Sequence, residues 1–163
     1  MKTKIRISAL ALLATVALAI IGCVYNVPIT AKPTRLVDAR LLGHWTSSDG
    51  KTTLTIVKWD NDNYAVAKLE DNEVDLYRVW HSDVSKTPLV TVQTLDQSKP
   101  QYAYWIWSLS ADGRLHARIV NDKIIPDDVK SSSAVQKLIR ENLQNPDLFG
   151  EESQFTKEND TGS

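Results

Sequence analysis

From residue 51 to residue 120 the chain alternates short β-prone runs with turn chemistry, a pattern that restricts it to antiparallel β architecture. Lys51–Trp59 is rich in Thr, Ile and Val and follows the turn signal Ser48-Asp49-Gly50. Asp60-Asn61-Asp62-Asn63 marks the next turn, before Tyr64–Leu69, and Asp71-Asn72 another, before Val74–His81. Pro88 precedes Leu89–Leu95, Pro100 precedes Tyr102–Leu109, and Ser110-Ala111-Asp112-Gly113 turns into Leu115–Val120. Six or seven such strands predict a mainly β fold, a small antiparallel β-barrel or sandwich.

After the last of these runs the period changes. Ser133 and Gln136 have capping-box spacing, and Val135, Leu138, Ile139 and Leu143 fall on one helical face. This predicts a helix over about 133–144, ended by Asn145-Pro146, with Gln154-Phe155-Thr156 as a last short strand. A helix with one apolar stripe needs cover. Tyr102–Leu109 offers it, because Tyr102, Tyr104 and Ile106 lie on one face and Ala103, Trp105, Trp107 and Leu109 on the other. The C-terminal helix is therefore expected to pack across that strand. The β-rich domain spans 37–157, and the tail 158–163 has nothing to bury.

The N-terminus carries an address. Lys2, Lys4 and Arg6 precede an apolar run from Ile7 to Ile21 that only Ser8 and Thr15 interrupt. Fifteen helical residues reach about 22 Å, short of a hydrocarbon core of about 30 Å, so the run reads as an export signal. Its end, Ile20-Ile21-Gly22-Cys23, resembles the lipobox of bacterial lipoproteins, and the chain as a whole is similar to small proteins of that kind. The resemblance implies a signal peptide over 1–22, cleavage before Cys23, a diacylglycerol thioether on Cys23 and acylation of its new amino group. Three acyl chains exceed the two signals that stable anchoring takes, so the membrane is an expected partner. Val24, standing where an aspartate would signal retention, implies an outer-membrane address facing the periplasm. Cleavage would leave 141 residues and 16 basic against 20 acidic side chains, with no cysteine free for a disulfide. The segment 23–36, with Pro28 and Pro33 and no apolar period, reads as a tether that holds the domain off the bilayer. Asp38–Gly43 reads as one short helical turn.

A second resemblance follows. Leu42-Gly43-His44-Trp45 is similar to the Gly-x-Trp that opens the first strand of lipocalins. That likeness implies a barrel plugged at one end by Trp45, with an interior that holds an apolar ligand. The chain departs from the family in lacking a mid-chain Thr-Asp-Tyr and in showing about seven strands instead of eight.

Catalytic constellations find little support. His81-Ser82-Asp83 contains triad residue types, but neighbours on an extended chain point to opposite faces, and no Gly-x-Ser-x-Gly elbow is present. Asp60-Asn61-Asp62-Asn63 begins like a calcium loop, yet Ala65 stands where glycine is needed and Asp71 where glutamate is. His44, His81 and His116 lie more than 30 residues apart, without local ligand spacing. No enzyme activity, cofactor or metal is expected, and a formal net charge of −1 argues against nucleic acid. The five tryptophans are more informative, as core, recognition surface or pocket lining. Trp45, Trp105 and Trp107, with Tyr77 and His81, are the candidate contacts. Tyr77 and His81, facing away from Val74, Leu76 and Trp80, are expected to form an exposed aromatic edge. Two functions follow: a lipid-anchored, non-catalytic envelope protein presenting a β-surface to an envelope partner, or a lipocalin-like carrier of a small apolar ligand.

Overall fold

The computed structural model describes residues 24–95 and 98–158. Eight antiparallel strands close into a barrel in simple sequential order. They are β1 (Gly43–Ser47), β2 (Thr52–Lys58), β3 (Asn63–Glu70), β4 (Glu73–His81), β5 (Leu89–Thr94), β6 (Tyr102–Leu109), β7 (Leu115–Val120) and β8 (Phe149–Lys157). Closure comes from Trp45, Thr46 and Ser47 of β1 pairing with Lys157, Thr156 and Phe155 of β8. Closure removes the free edges that an open sheet must protect. The barrel is thus the realised alternative, and the sandwich is not. The eighth strand is longer than the expected Gln154–Thr156, so the strand count meets that of the resembled family.

Turn chemistry sets the register. Asp71 and Asn72 both take positive φ, +50° and +65°, as a two-residue hairpin turn requires. Their turn places Leu69 opposite Val74 and Lys68 opposite Asp75. The Asp60 carboxylate accepts from the amides of Asp62 and Asn63 and from the Asn63 side chain, all at 2.8 Å through Oδ1. Asp60 is therefore employed in closing the β2–β3 turn.

Two cores share the barrel wall. The inner one gathers Trp45, Ile56, Tyr64, Val66, Val79, Val90, Leu115 and Phe155. The outer one joins Tyr104, Leu89 and Val120 to Val135 and Ile139 of the helix α1 (Ser132–Asn142), and to Tyr25 and Ile29. The predicted docking of the helix on the outer face of β6 is thereby observed, with Tyr102 and Ile106 packed against the same cluster. Its cap is Ser131, whose Oγ accepts from the Ala134 amide at 3.2 Å, in place of the expected Ser133. Gln136 takes no part in a capping box. It donates to the Ile29 carbonyl at 2.9 Å and ties the helix to the N-terminal segment.

That segment corrects the tether reading. Residues 25–37 run along the outside of the barrel as a docked arm. Tyr25 exchanges backbone hydrogen bonds with Tyr102 at 2.8 and 2.9 Å and stacks on Tyr104 with ring centroids 3.9 Å apart. Ile29 donates its amide to Thr91 Oγ1, Thr34 its amide to the His81 carbonyl, and Val37 its amide to the Asn61 carbonyl. Prolines mark an extended chain but do not say whether it is free. Here buried Tyr25 and Ile29 supply the apolar contacts that hold it down. Residues 1–23, with Cys23 and the expected signal segment, and residues 159–163 lie outside the described residues.

Candidate functional site: a barrel cavity closed at one end

The barrel is closed where β1 begins. Gly43 has φ +131°, a conformation that side-chain-bearing residues rarely adopt, and a Cβ there would meet Lys157 Cε at 2.7 Å. The glycine thus lets Lys157 cross the barrel end, donate to the Arg40 carbonyl at 3.2 Å and lie 5.5 Å from the Trp45 ring. Trp45 is 1% exposed, and its Nε1 donates to the Leu41 carbonyl at 2.9 Å across the short 3-10 turn Ala39–Leu41. Both halves of the Gly-x-Trp sequence therefore serve one plug.

An aromatic and imidazole layer completes the closure. Tyr64 and Trp107 meet edge to face at 5.3 Å, and His81 lies 5.9 Å from Trp107. His81 Nδ1 is 3.1 Å from Arg35 Nη2, and its Nε2 is 2.8 Å from the Tyr64 hydroxyl. A guanidinium only donates, so Nδ1 accepts and the ring hydrogen sits on Nε2, pointing at Tyr64. Burial, reinforced by the Arg35 charge, lowers the His81 pKa to about 4. The Asp38 amide also donates to the Tyr64 oxygen, at 2.7 Å. The Ser82 hydroxyl is paired with Thr30 and Thr91, and Asp83 with Arg35, so the His81-Ser82-Asp83 run assembles no nucleophile–base pair.

Beyond this layer an apolar cavity of about 170 Å³ extends to the opposite end of the barrel. Leu54, Ile56, Val66, Val79, Val90 and Val92 form most of its wall, and Ala103 and Ala117 leave it room. Trp105, Trp107 and Tyr77 also line it, whereas Trp45 belongs to the core without lining it. At the rim stand Val24, Thr52, Lys68, Thr94 and Gln101. Lys68 is 8% exposed and bridges Glu70 at 3.1 Å and Asp75 at 3.0 Å, while the Thr52 hydroxyl donates to Glu70. Burial opposes the Lys68 charge, but the Asp75 and Glu70 carboxylates outweigh it and hold its pKa above the ordinary value.

The expected exposed edge on β4 is corrected. His81 is 2% exposed and Tyr77 lines the cavity, while Val74 and Leu76 face solvent. Trp80, on that outer face, is covered by the arm and donates from Nε1 to the Thr30 carbonyl at 3.1 Å. Alternation separates two faces without saying which is inside, and the arm supplied apolar cover that the strand pattern alone could not reveal. The rim cluster around Lys68 was not anticipated. Its signal was present, since Lys68 alternates in phase with Tyr64 and Val66. Among the described residues no group of three or more His, Cys, Asp or Glu side chains could hold a metal ion, and no helix is long and apolar enough to cross a membrane.

The fold and cavity define a closed eight-stranded antiparallel barrel with an apolar interior open at one end. Compared with known protein families, with curated proteins and with solved structures, the chain matches none.

Proposed function

We propose that this protein is a lipid-anchored, non-catalytic barrel of the bacterial cell envelope that holds a narrow apolar ligand, with its anchor on Cys23. The observation that carries the binding reading is the cavity itself: apolar walls, aromatic closure at one end and an open rim at the other. Its 170 Å³ is close to the roughly 150 Å³ of cavities that take benzene and below the roughly 300 Å³ at which drug-sized sites begin. The ligand is accordingly one alkyl chain end or a single ring. Lys68, held between two carboxylates, leaves the rim with net negative charge, so an uncharged head is favoured over an acid. The motif at residues 20–23 supports the anchor and, with Val24, an outer-membrane site facing the periplasm.

Titration of the full chain with a terminally brominated medium-chain alcohol tests the binding. Bromine at the cavity wall quenches Trp105 and Trp107 emission, giving a saturable loss in the wild type. Ala103→Leu combined with Ala117→Leu fills the cavity and abolishes it. Quenching that never saturates, or that survives in the filled variant, removes the cavity as the binding site.

A further inference from the structure

Eight large apolar side chains are exposed among the described residues, and five of them stand at one end of the barrel. Val24, Leu69, Val74, Leu76 and Leu95 are 40–61% exposed and stand on the β3–β6 side of the open end, with Val24 also lining the rim. They form a continuous arc along the wall. Leu69 pairs with Val74, Leu76 accepts the Leu95 amide at 3.1 Å, and Thr94 donates to Gln101 beside the Tyr102–Tyr25 bridge. The other three, Leu36, Val57 and Trp59, lie towards the closed end, where the arm meets Asn61.

The chain itself indicates what covers this arc. Val24 lines the rim, and the sequence directly before it is Cys23, preceded by the apolar run Ile7–Ile21. A lipid on Cys23 would stand one residue from Val24, and the apolar run ends three residues before it. Tyr25 is fixed by its backbone pair with Tyr102 and by its hydroxyl, which donates to the Ile125 carbonyl at 2.9 Å. From either anchor to Tyr25 is two to four residues, a reach of at most about 7 to 14 Å, whereas a free segment of a dozen or more would reach about 40 Å. The barrel consequently has no slack with which to turn its rim away from the anchor.

We infer that the open end of the barrel lies on the membrane surface, with Val24, Leu69, Val74, Leu76 and Leu95 in the lipid interface and the cavity opening onto the bilayer. The lipid is zwitterionic. The β3–β4 hairpin presents Glu70, Asp71, Glu73 and Asp75 at this end, and anionic headgroups would be repelled by them. The inference rests on the proposed N-terminal attachment to a membrane. It also deepens the binding reading, because lipid acyl chains then stand at the mouth of the cavity.

The test uses the full chain in phosphatidylcholine vesicles, with an environment-sensitive fluorescent amino acid incorporated in place of Val74 in one preparation and of Val57 in another, so that Cys23 carries no label. Both positions are exposed, so neither label disturbs a core. Lipids brominated along their acyl chains should quench the label at 74 severalfold more than the label at 57. Equal quenching, or stronger quenching at 57, in protein that floats with the vesicles overturns the orientation while attachment stands. Protein that does not float removes the attachment and the orientation together. Alcohol binding to the cavity in detergent is read separately and survives either failure.

Discussion

Lowering the pH should destabilise this protein through His81 before its carboxylates begin to titrate. The imidazole is 2% exposed, accepts from Arg35 at Nδ1 and faces Tyr64 at Nε2, so a second ring hydrogen would confront the guanidinium. Its folded pKa is about 4, against an ordinary value near 6.5. Above pH 6.5 both folded and unfolded chains carry the neutral ring, and the group contributes no pH dependence. Between pH 6.5 and 4 the unfolded chain takes up a proton that the folded chain refuses, so stability falls as the pH falls. The full interval is about 2.5 pH units, or about 3 kcal/mol, of which about 2 kcal/mol is lost by pH 5. Urea unfolding followed by tryptophan emission at pH 7.5, 6.5, 5.5 and 5 measures the slope. His81→Gln keeps a polar group beside Tyr64 and has nothing to titrate, so its stability should be nearly level across this range whatever its absolute value. The lowered carboxylate pKa values of Asp38 and Glu152, set first by hydrogen bonds from Arg40 and His116, act only nearer pH 4 and below. An equal slope in wild type and His81→Gln would refute the assignment.

Three further outcomes follow from the two cores. Trp45→Phe removes the donor to the Leu41 carbonyl and should cost about 2 kcal/mol, whereas Trp107→Phe deletes an Nε1 that has no acceptor among the described residues and should stay within about 1 kcal/mol of wild type. Equal losses in parallel thermal melts would contradict the contrast. Ile139→Asp buries a carboxylate in the outer core and should cost more than about 4 kcal/mol, with hydrogen exchange rising at the Tyr25 amide before it rises at Val66. Gly43→Ala forces both a strained φ and displacement of Lys157, and should lower the melting temperature more than Gly113→Ala, where φ is also positive but no atom lies within 4 Å.

The barrel wall was legible because its punctuation is chemical: Ser48-Asp49-Gly50, Asp71-Asn72 and Asp112-Gly113 can do little other than turn, and the runs between them are too short for helices. The plug was legible through Gly43 and Trp45. What escaped were features set by distant contacts. The arm 25–37 carries no period, since Tyr25, Ile29 and Val37 answer to three separate places on the barrel wall. The same arm covers Trp80, which inverted the two faces of β4. Cavity size was equally hidden, because it depends on Ala103 and Ala117 standing beside Trp105 and Trp107, and composition does not report which side chains meet.

Native mass spectrometry of the full chain released from bacterial membranes reads directly whether the interior holds an apolar ligand. One apolar adduct per chain is expected in the wild type, lost on denaturation and missing from the Ala103→Leu, Ala117→Leu variant. A wild-type mass without adduct, or an adduct that persists in the filled variant, would contradict binding in the cavity.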